Sequence, residues 1–188
     1  NMNIYDFDDT IFDGDSSVYF IKYSLVRHPF LVILSLFKTI IPFIKYKRKR
    51  TDFGNVKAVL FSFVTKIKDI DAYMDNFVLK YQDNIKPYYL ELHKSNDVII
   101  SASFRFIVEP LCKKMDINNV IATEYDVKTG KLIGKNCKSE EKIRRFNELY
   151  KDVIVDNAYS DSLTDIPMFE RAKKGYIVKG YNLIEYKK

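Results

Sequence analysis

Five carboxylates fall within ten residues near the start of the chain, directly after a short apolar run. The segment reads NIYDFDDTIFDGDS over residues 3–16. Its acidic residues are Asp6, Asp8, Asp9, Asp13 and Asp15. Like charges repel one another, and burying a carboxylate costs free energy unless it is paired or bound to a cation. We therefore expect a fold that brings a cation to the end of this first strand.

Apolar runs and amphipathic segments alternate along the chain, which predicts strands that alternate with helices. The predicted strands are 3–7, 97–103, a strand and hairpin within 119–134, 152–161 and 176–179. The predicted helices are 87–94, 104–115, 139–150 and 163–172, besides a helical region from 16 to 84. The third of these helices carries Ile143, Phe146, Leu149 and Tyr150 on one face. This alternation predicts an α/β fold built on a parallel sheet.

Polar residues follow several of the predicted strands. Asp6 and Asp8 follow the first strand, Ser101 ends the second, and Asp161 with Asp165 follows a later one. Sites in parallel sheets lie at the carboxyl ends of the strands, so we expect these residues to converge at one edge. For any one of these acidic residues taken by itself, the alternative is that it only stabilises a turn.

The expected cluster offers oxygen ligands without a neighbouring group of His or Cys. Such a donor set favours a hard divalent cation, and Mg²⁺ is the predicted cofactor. Asp6 and Asp161 are the expected direct ligands, and the backbone carbonyl of Asp8 could supply a third oxygen. We expect Lys138 to balance the remaining negative charge, with Lys142 as the competing lysine.

Four short motifs in order resemble the phosphatases of the haloacid dehalogenase superfamily, and the resemblance covers nearly the whole chain. The motifs are DFDDT at 6–10, Ser101 after an apolar strand, Lys138, and SDSLTD at 160–165. The nearest branch by motif is the phosphoserine-phosphatase-like subfamily IB. The resemblance implies a Rossmann-like three-layer core with a parallel sheet and an inserted helical cap of the C1 type.

The resemblance also implies catalytic roles. Asp6 resembles the nucleophile that forms an aspartyl-phosphate, and Asp8 resembles the general acid and base. Ser101 and the amide of Ala102 would bind the phosphoryl oxygens, and Lys138 would neutralise charge in the transition state.

Supporting roles are implied for three further residues. Asp165 would orient the metal shell, Thr10 would fix the loop geometry beside the phosphate, and Asp15 could face the substrate. The alternatives are that Ser101 is a helix N-cap and that Asp13 and Asp15 are loop or cap residues.

Residues 13–84 lie between the first and second motifs and are the predicted helical cap, while 1–12 and 85–188 form the predicted core domain. We expect breaks in the cap helices near Pro42 and at residues 51–54, and an N-cap at Asp69.

Within the cap, residues 27–50 carry seven basic residues and no acidic one. The apolar stretch 29–44 would span about 24 Å as a helix, which is short of a hydrocarbon core of roughly 30 Å. One interpretation buries this helix between cap and core. The other places it on an anionic membrane surface beside the run KYKRKR at 45–50. Nucleic acid fits poorly, because the basic run is short and belongs to no recognition fold.

Together these patterns predict a Mg²⁺-dependent phosphomonoesterase. Its motifs and cap lean towards the phosphatidylglycerophosphatases of the C type, which implies a lipid phosphate as substrate. The alternatives are a phosphatase for a small metabolite such as phosphoserine, a phosphotransferase, and a membrane-docking or partner-binding protein with an inactive site. The chain has two cysteines, Cys112 and Cys137, and its N-terminal segment is acidic rather than basic. Both features predict a cytoplasmic location. If residues 29–50 bind a membrane, the protein would associate with its cytoplasmic face.

Overall fold

A computed structural model describes residues 2–187 of the chain. Seven strands lie in one sheet. They are β1 (Met2–Tyr5), β2 (Val98–Phe104), β3 (Val120–Asp126), β4 (Lys131–Ile133), β5 (Val155–Ser160), β6 (Lys174–Lys179) and β7 (Asn182–Tyr186). Within residues 2–187, eight α-helices accompany the sheet. They are α1 (Ser16–Arg27), α2 (Pro29–Lys47), α3 (Phe53–Leu60), α4 (Ile70–Tyr81), α5 (Pro87–Leu92), α6 (Arg105–Lys113), α7 (Glu140–Leu149) and α8 (Ile166–Arg171).

The order of the strands is β4-β3-β2-β1-β5-β6-β7. The five central strands run parallel, whereas β4 and β7 are antiparallel at the two edges. The chain leaves β1 for β2 on one side and later reaches β5 on the other. A crevice therefore opens at the carboxyl end of β1, where ligands bind in sheets of this type. The predicted α/β fold with a largely parallel sheet is confirmed.

Side chains of the central strands alternate between two cores, because successive residues of a strand face opposite sides. Tyr5 and Ile99 pack on one side with residues of α1, α4 and α6. Ile4 and Ile100 pack on the other side with residues of α7 and α8, among them Phe146. The sheet thus lies between two helical layers. Helices α1 to α4 share the first core, while the predicted division into cap and core domains stays a prediction.

Several predicted boundaries hold. Asp69 caps α4, because its carboxylate accepts a hydrogen bond of 3.0 Å from the amide of Ala72. A turn at Thr129 and Gly130 joins the antiparallel strands β3 and β4, as predicted. Strand β7 was not predicted, and the predicted apolar face of α7 includes one error, because Leu149 is exposed.

The expected break near Pro42 is wrong, since α2 continues through this proline to Lys47. Its 19 residues reach about 28 Å rather than 24 Å. The interpretation that buries α2 between cap and core is also wrong. Val32 and Ser35 are its buried residues, whereas Phe30 and Phe37 are 87% and 66% exposed.

Candidate active site

Asp6 lies at the floor of the crevice, directly after β1. Its amide donates to the carbonyl of Tyr159 in β5 at 2.9 Å, so the backbone stays in the sheet at this position. Its Oδ1 accepts a hydrogen bond of 2.7 Å from Nζ of Lys142. The same ammonium lies 2.6 Å from Oδ2 of Asp165, which also accepts a bond of 2.8 Å from Ser160 Oγ. Three charged side chains thus meet in a buried network.

Lys142, rather than Lys138, neutralises this network. Burial alone would lower the pKa of Lys142, but the charges of Asp6 and Asp165 outweigh it and raise the pKa. Burial raises the pKa of Asp6, and the ammonium of Lys142 opposes that rise. Lys138 is exposed and lies in the wall of the crevice. The predicted partner of the carboxylates is therefore corrected to the competing lysine, which lies on the same face of α7 as Phe146.

Asp8 occupies a different environment. Its Oδ1 accepts a hydrogen bond of 2.6 Å from the amide of Ser16, and its Oδ2 accepts one from Ser103 Oγ. Burial, followed by the negative charge of Asp15, raises the pKa of Asp8 to about 6. A carboxyl group with such a pKa can hold or release a proton near neutral pH, as a general acid and base must.

Thr10 links the loops that follow β1 and β5. Its Oγ1 accepts a hydrogen bond of 2.9 Å from the amide of Asp161 and lies 3.4 Å from Asp161 Oδ1. Its carbonyl accepts a bond of 2.8 Å from the hydroxyl of Tyr88. Thr10 is fully buried, and its bond to the amide of Asp161 ties the loop after β5 to the loop after β1. This arrangement agrees with the expected role of Thr10 in loop geometry.

Lys86 holds the loop after β1 from the side. This buried ammonium donates to the carbonyls of Asp9 and, at 2.8 Å, Gly180, in the turn between β6 and β7. Burial lowers its pKa. The sequence alone does not predict a role for Lys86. Since the bonds join segments that are far apart in the sequence, no local pattern marks it.

The carboxylates fit a hard divalent cation. Partial desolvation, followed by the charge of Asp6, raises the pKa of Asp161 to about 7, so a cation shared by the two groups would relieve their repulsion. Oδ1 of Asp165 is buried and has no hydrogen-bond partner within residues 2–187. Within the same residues, no three acidic, His or Cys side chains form a ready-made metal site. A backbone oxygen, such as the predicted Asp8 carbonyl, is therefore needed to complete the ligand set.

The predicted phosphate-binding serine is placed differently from the expectation. Ser101 is fully buried, and its Oγ accepts a hydrogen bond of 3.0 Å from the amide of Ser103. Ser103 and Ala102 line the crevice instead. The alternative role of Ser101 as the N-cap of α6 is wrong, because Phe104 occupies that position. The signal for Ser103 was its position as the last residue of the predicted strand 97–103.

Asp15 has the cap role that was weighed as its alternative. Its Oδ1 accepts a hydrogen bond of 3.0 Å from the amide of Val18 at the start of α1. Asp15 also lines the crevice, beside Asp8. Asp13, by contrast, accepts a bond of 3.1 Å from the hydroxyl of Tyr181 and does not line the crevice.

The crevice has a volume of about 410 Å³, within the usual range for small-ligand pockets. Its floor is acidic, and much of its upper wall is apolar. The apolar wall residues are Val18, Ile21, Phe53, Leu60 and Phe61.

Lys57 of α3 interrupts this apolar wall. Its Nζ donates to the carbonyl of Ala102 at 2.7 Å, and burial lowers its pKa to about 8. Lys57 was not among the residues predicted for the site. The available signal was its spacing from Phe53 and Leu60, since residues four and three apart share one helical face.

Comparisons with known proteins agree with this geometry. The sequence model of the haloacid dehalogenase-like hydrolases matches residues 4–170. No curated protein matches the chain. A protein of unknown function from Bordetella pertussis Tohama I has a similar structure, with a TM-score of 0.71 and 14% identity over 93% of this chain and 87% of that one.

Two further structures share the fold. A phosphoserine phosphohydrolase-like protein from Francisella tularensis subsp. tularensis SCHU S4 has a TM-score of 0.58 and 18% identity, over 93% of this chain and 86% of that one. A substrate-bound phosphoserine phosphatase has a TM-score of 0.55 and 17% identity, over 93% and 83%. At these identities the likeness establishes the fold alone. Because the family model covers most of the chain and the acidic strand ends meet as its motifs require, this chain belongs to the haloacid dehalogenase-like hydrolases.

Proposed function

We propose that this hydrolase is a phosphomonoesterase that works through an aspartyl-phosphate on Asp6. The observation that carries the proposal is the contrast between two carboxylates that are two residues apart. Asp6 is paired with a buried ammonium at 2.7 Å, while Asp8 has a pKa of about 6 and hydroxyl and amide partners. Two neighbouring carboxyl groups whose environments give them different pKa values are typical of a nucleophile beside a general acid.

In the first step, Asp6 attacks phosphorus and the ester oxygen leaves with the proton of Asp8. In the second step, Asp8 takes a proton from water, the water oxygen attacks phosphorus, and the carboxylate of Asp6 leaves. Lys142 keeps Asp6 oriented and compensates its charge, and Ser103 and the amide of Ser16 position Asp8. Asp6, Asp161 and the Asp8 carbonyl would hold Mg²⁺, which supplies positive charge for the phosphoryl oxygens.

For the substrate, we favour a lipid phosphate such as phosphatidylglycerophosphate. The apolar upper wall of the crevice suits a substrate with an apolar part, and Lys57 offers a cation for a second anionic group. The second candidate is a phosphoserine-like metabolite, whose carboxylate Lys57 could also bind. A small polar substrate would leave the apolar wall unused, so the lipid phosphate fits more of the crevice.

Trapping the phosphoenzyme tests the chemistry. The protein is mixed with a ³²P-labelled phosphomonoester and Mg²⁺ and quenched in acid, and label on the protein is measured before and after hydroxylamine. We expect hydroxylamine-sensitive label on the natural chain and none on Asp6→Asn. Asp13→Asn is the matched control and should retain label, because Asp13 lies outside the crevice. Equal label on Asp6→Asn and the natural chain would contradict the proposed nucleophile.

A substrate panel tests the specificity. Short-chain lipid phosphates and soluble phosphoesters, phosphoserine included, are compared by kcat/KM with and without Mg²⁺. We expect the lipid phosphates to be preferred, and Lys57→Met to reduce kcat/KM most for substrates with a second anionic group. A preference for phosphoserine would replace the lipid proposal with the metabolite proposal. Phosphate transferred to added glycerol, rather than released, would identify a phosphotransferase.

A further inference from the structure

Helix α2 turns its hydroxyl side chains inwards, together with Leu31 and Val32, and leaves most of its large apolar residues outside. The side towards the rest of the protein carries Ser35, whose Oγ lies 3.2 Å from Ser62 Oγ, and Thr39, whose hydroxyl donates to the Ser35 carbonyl at 2.7 Å. Val32 is its buried apolar residue, and Pro42 is half-buried. In a soluble protein the inward stripe of a surface helix is normally the apolar one. The inversion therefore needs a physical explanation.

The outward side of α2 is almost entirely apolar. Its large residues are between 43% and 87% exposed. They are Phe30, Ile33, Leu34, Leu36, Phe37, Ile40, Ile41, Phe43 and Ile44. At 100° per residue, Phe30, Ile33, Phe37 and Ile44 lie opposite Ser35 and Thr39. A continuous apolar strip on a monomer of this size marks an interaction surface.

Basic residues border this strip and follow it. Lys38 and Lys45 lie seven residues apart, so they share one edge of the strip. Lys47, Arg48, Lys49 and Arg50 follow at its carboxyl-terminal end, and all six residues are exposed. Within residues 2–187 none of the six forms an ion pair with an acidic side chain. An apolar face bordered by lysines, with a polybasic end, matches an anionic membrane surface.

We propose that α2 docks flat on an anionic membrane, with its outward apolar strip among the acyl chains and the residues at 45–50 on the lipid head groups. Two other occupants fit less well. A second copy packed on α2 would offer the basic run no acidic partner from its own α2 segment, because residues 27–50 contain no acidic residue. A membrane-spanning α2 has sufficient length and apolar composition, but Lys38 would then lie at mid-membrane and Ser35 would lose its contact with Ser62.

The docked orientation has a consequence for catalysis, which rests on the proposed function. Tyr46 of α2 contacts Phe53 of α3, with ring centroids 5.3 Å apart, and Phe53 lines the crevice. The basic end of α2 is therefore next to the crevice wall. Docking would bring the crevice to the head groups, where the phosphate of a lipid substrate lies.

Vesicle flotation tests the docking directly. The natural chain is compared on phosphatidylglycerol-containing vesicles and on pure phosphatidylcholine vesicles between 50 and 500 mM salt. We expect binding to the anionic vesicles that weakens about tenfold or more as salt rises and then levels off, because salt screens the charges but not the apolar contact. Absence of binding to anionic vesicles at low salt would overturn the proposal.

Two sets of substitutions separate the two contributions. Replacing Lys47, Arg48, Lys49 and Arg50 by Gln should remove the salt-sensitive part, while Phe30→Ser with Phe37→Ser and Ile41→Ser should remove the salt-resistant part. The charge-matched control replaces Lys114, Lys128, Lys151 and Lys174, which are exposed elsewhere, and should bind normally. Hydrolysis of a small soluble ester should stay unchanged in all three variants, so loss of docking is distinguishable from loss of chemistry. Equal binding by all variants would contradict the role of α2.

The absence of tryptophan from the chain allows a direct measurement of depth. Ile41→Trp should show a blue-shifted emission on anionic vesicles and be quenched by lipids brominated near the head group. Leu149→Trp is the control, at an exposed position of α7, and its emission should not be quenched. Resistance of the bound protein to alkaline extraction would show that α2 spans the membrane. A dimer that forms without lipid and is abolished by the Phe30, Phe37 and Ile41 changes would show that a second copy of the chain covers α2. Either result would overturn flat docking.

Discussion

Two carboxylates of the same type, separated by one residue, have different properties here because their neighbours differ. Lys142 lies against Asp6, whereas Asp8 has hydroxyl and amide donors and the charge of Asp15 nearby. Neither difference is visible in the motif itself. The two carboxyl groups therefore differ because α7 supplies the neighbour of Asp6 and the start of α1 supplies a neighbour of Asp8.

Replacing the proposed general acid should affect substrates unequally. In Asp8→Asn we expect the first turnover of an alkyl phosphate to fall by roughly 10²- to 10⁴-fold, because its leaving group needs the proton. The first turnover of p-nitrophenyl phosphate should fall much less, since nitrophenolate leaves unprotonated. Rapid mixing measures the first turnover of both esters, from the nitrophenolate burst for one and from the alcohol released after an acid quench for the other. Equal losses in the first turnover would remove Asp8 from the acid role.

The two candidate lysines should differ in their effect on stability. Lys142→Met leaves Asp6 and Asp165 buried without their cation, so we expect the free energy of unfolding to fall by roughly 3–5 kcal/mol. Lys138→Met removes an exposed charge and should change it by less than about 0.5 kcal/mol. Urea unfolding measures both. Adding Asp165→Asn to Lys142→Met should restore part of the loss, and a larger effect from Lys138→Met would contradict this assignment.

At the scale of elements, aromatic side chains join the helical segment to the sheet layer. The ring of Phe20 in α1 lies 5.2 Å from Phe77 of α4, 5.5 Å from Phe106 of α6 and 6.1 Å from Phe61. Phe20 is fully buried. The helices that cover the crevice therefore depend on the same core as the sheet.

Truncating this central ring should destabilise the whole protein. We expect Phe20→Ala to lower the free energy of unfolding by about 3–5 kcal/mol, through lost burial and the cavity left behind. The matched control is Phe30→Ala, at a ring that is 87% exposed, which should change it by less than about 0.5 kcal/mol. Urea unfolding followed by circular dichroism makes the comparison. Similar effects of the two changes would show that the aromatic cluster is not a core.

At the scale of the whole molecule, the sheet order gathers residues that are distant in sequence. Strand β1 lies between β2 and β5, so Asp6, Ser103 and Asp161 meet although they span more than 150 residues. Helix α7 then delivers Lys142 from one face. A ligand shared by Asp6 and Asp161 would join the ends of two adjacent strands.

Cation binding should therefore be visible as thermal stabilisation. Mg²⁺ at about 100 times its Kd should add about 2.7 kcal/mol, and for a domain of this size each kcal/mol raises Tm by roughly 2–4 °C. Calorimetry of the natural chain should show an increase of roughly 5–10 °C, reversed by chelator, together with loss of turnover. Asp161→Asn should abolish this increase in Tm, whereas the control Asp152→Asn should retain it. A shift that is unchanged in Asp161→Asn would contradict the predicted ligand.

The α/β alternation, the positions of most elements and the acidic residues at the strand ends could all be predicted from local sequence patterns. These features depend on local periodicity and on motifs in which each residue follows its strand directly. Tertiary structure decided which lysine meets Asp6. Lys138 and Lys142 are four residues apart and both side chains are long, but packing of Phe146 against the sheet turns the Lys142 face of α7 inwards.

Tertiary structure also decided the course of α2 and the placement of the serines. Pro42 lowers intrinsic helix stability, yet packing against α1 and α3 carries the helix through it, because tertiary contacts outweigh local propensity. Ser101 was the predicted phosphate ligand, but the pairing of β2 with β3 is irregular between Ser101 and Phe104, and Ser103 rather than the buried Ser101 lies in the crevice wall. Both outcomes depend on packing and strand pairing with residues that are distant in the chain, which local sequence patterns do not reveal.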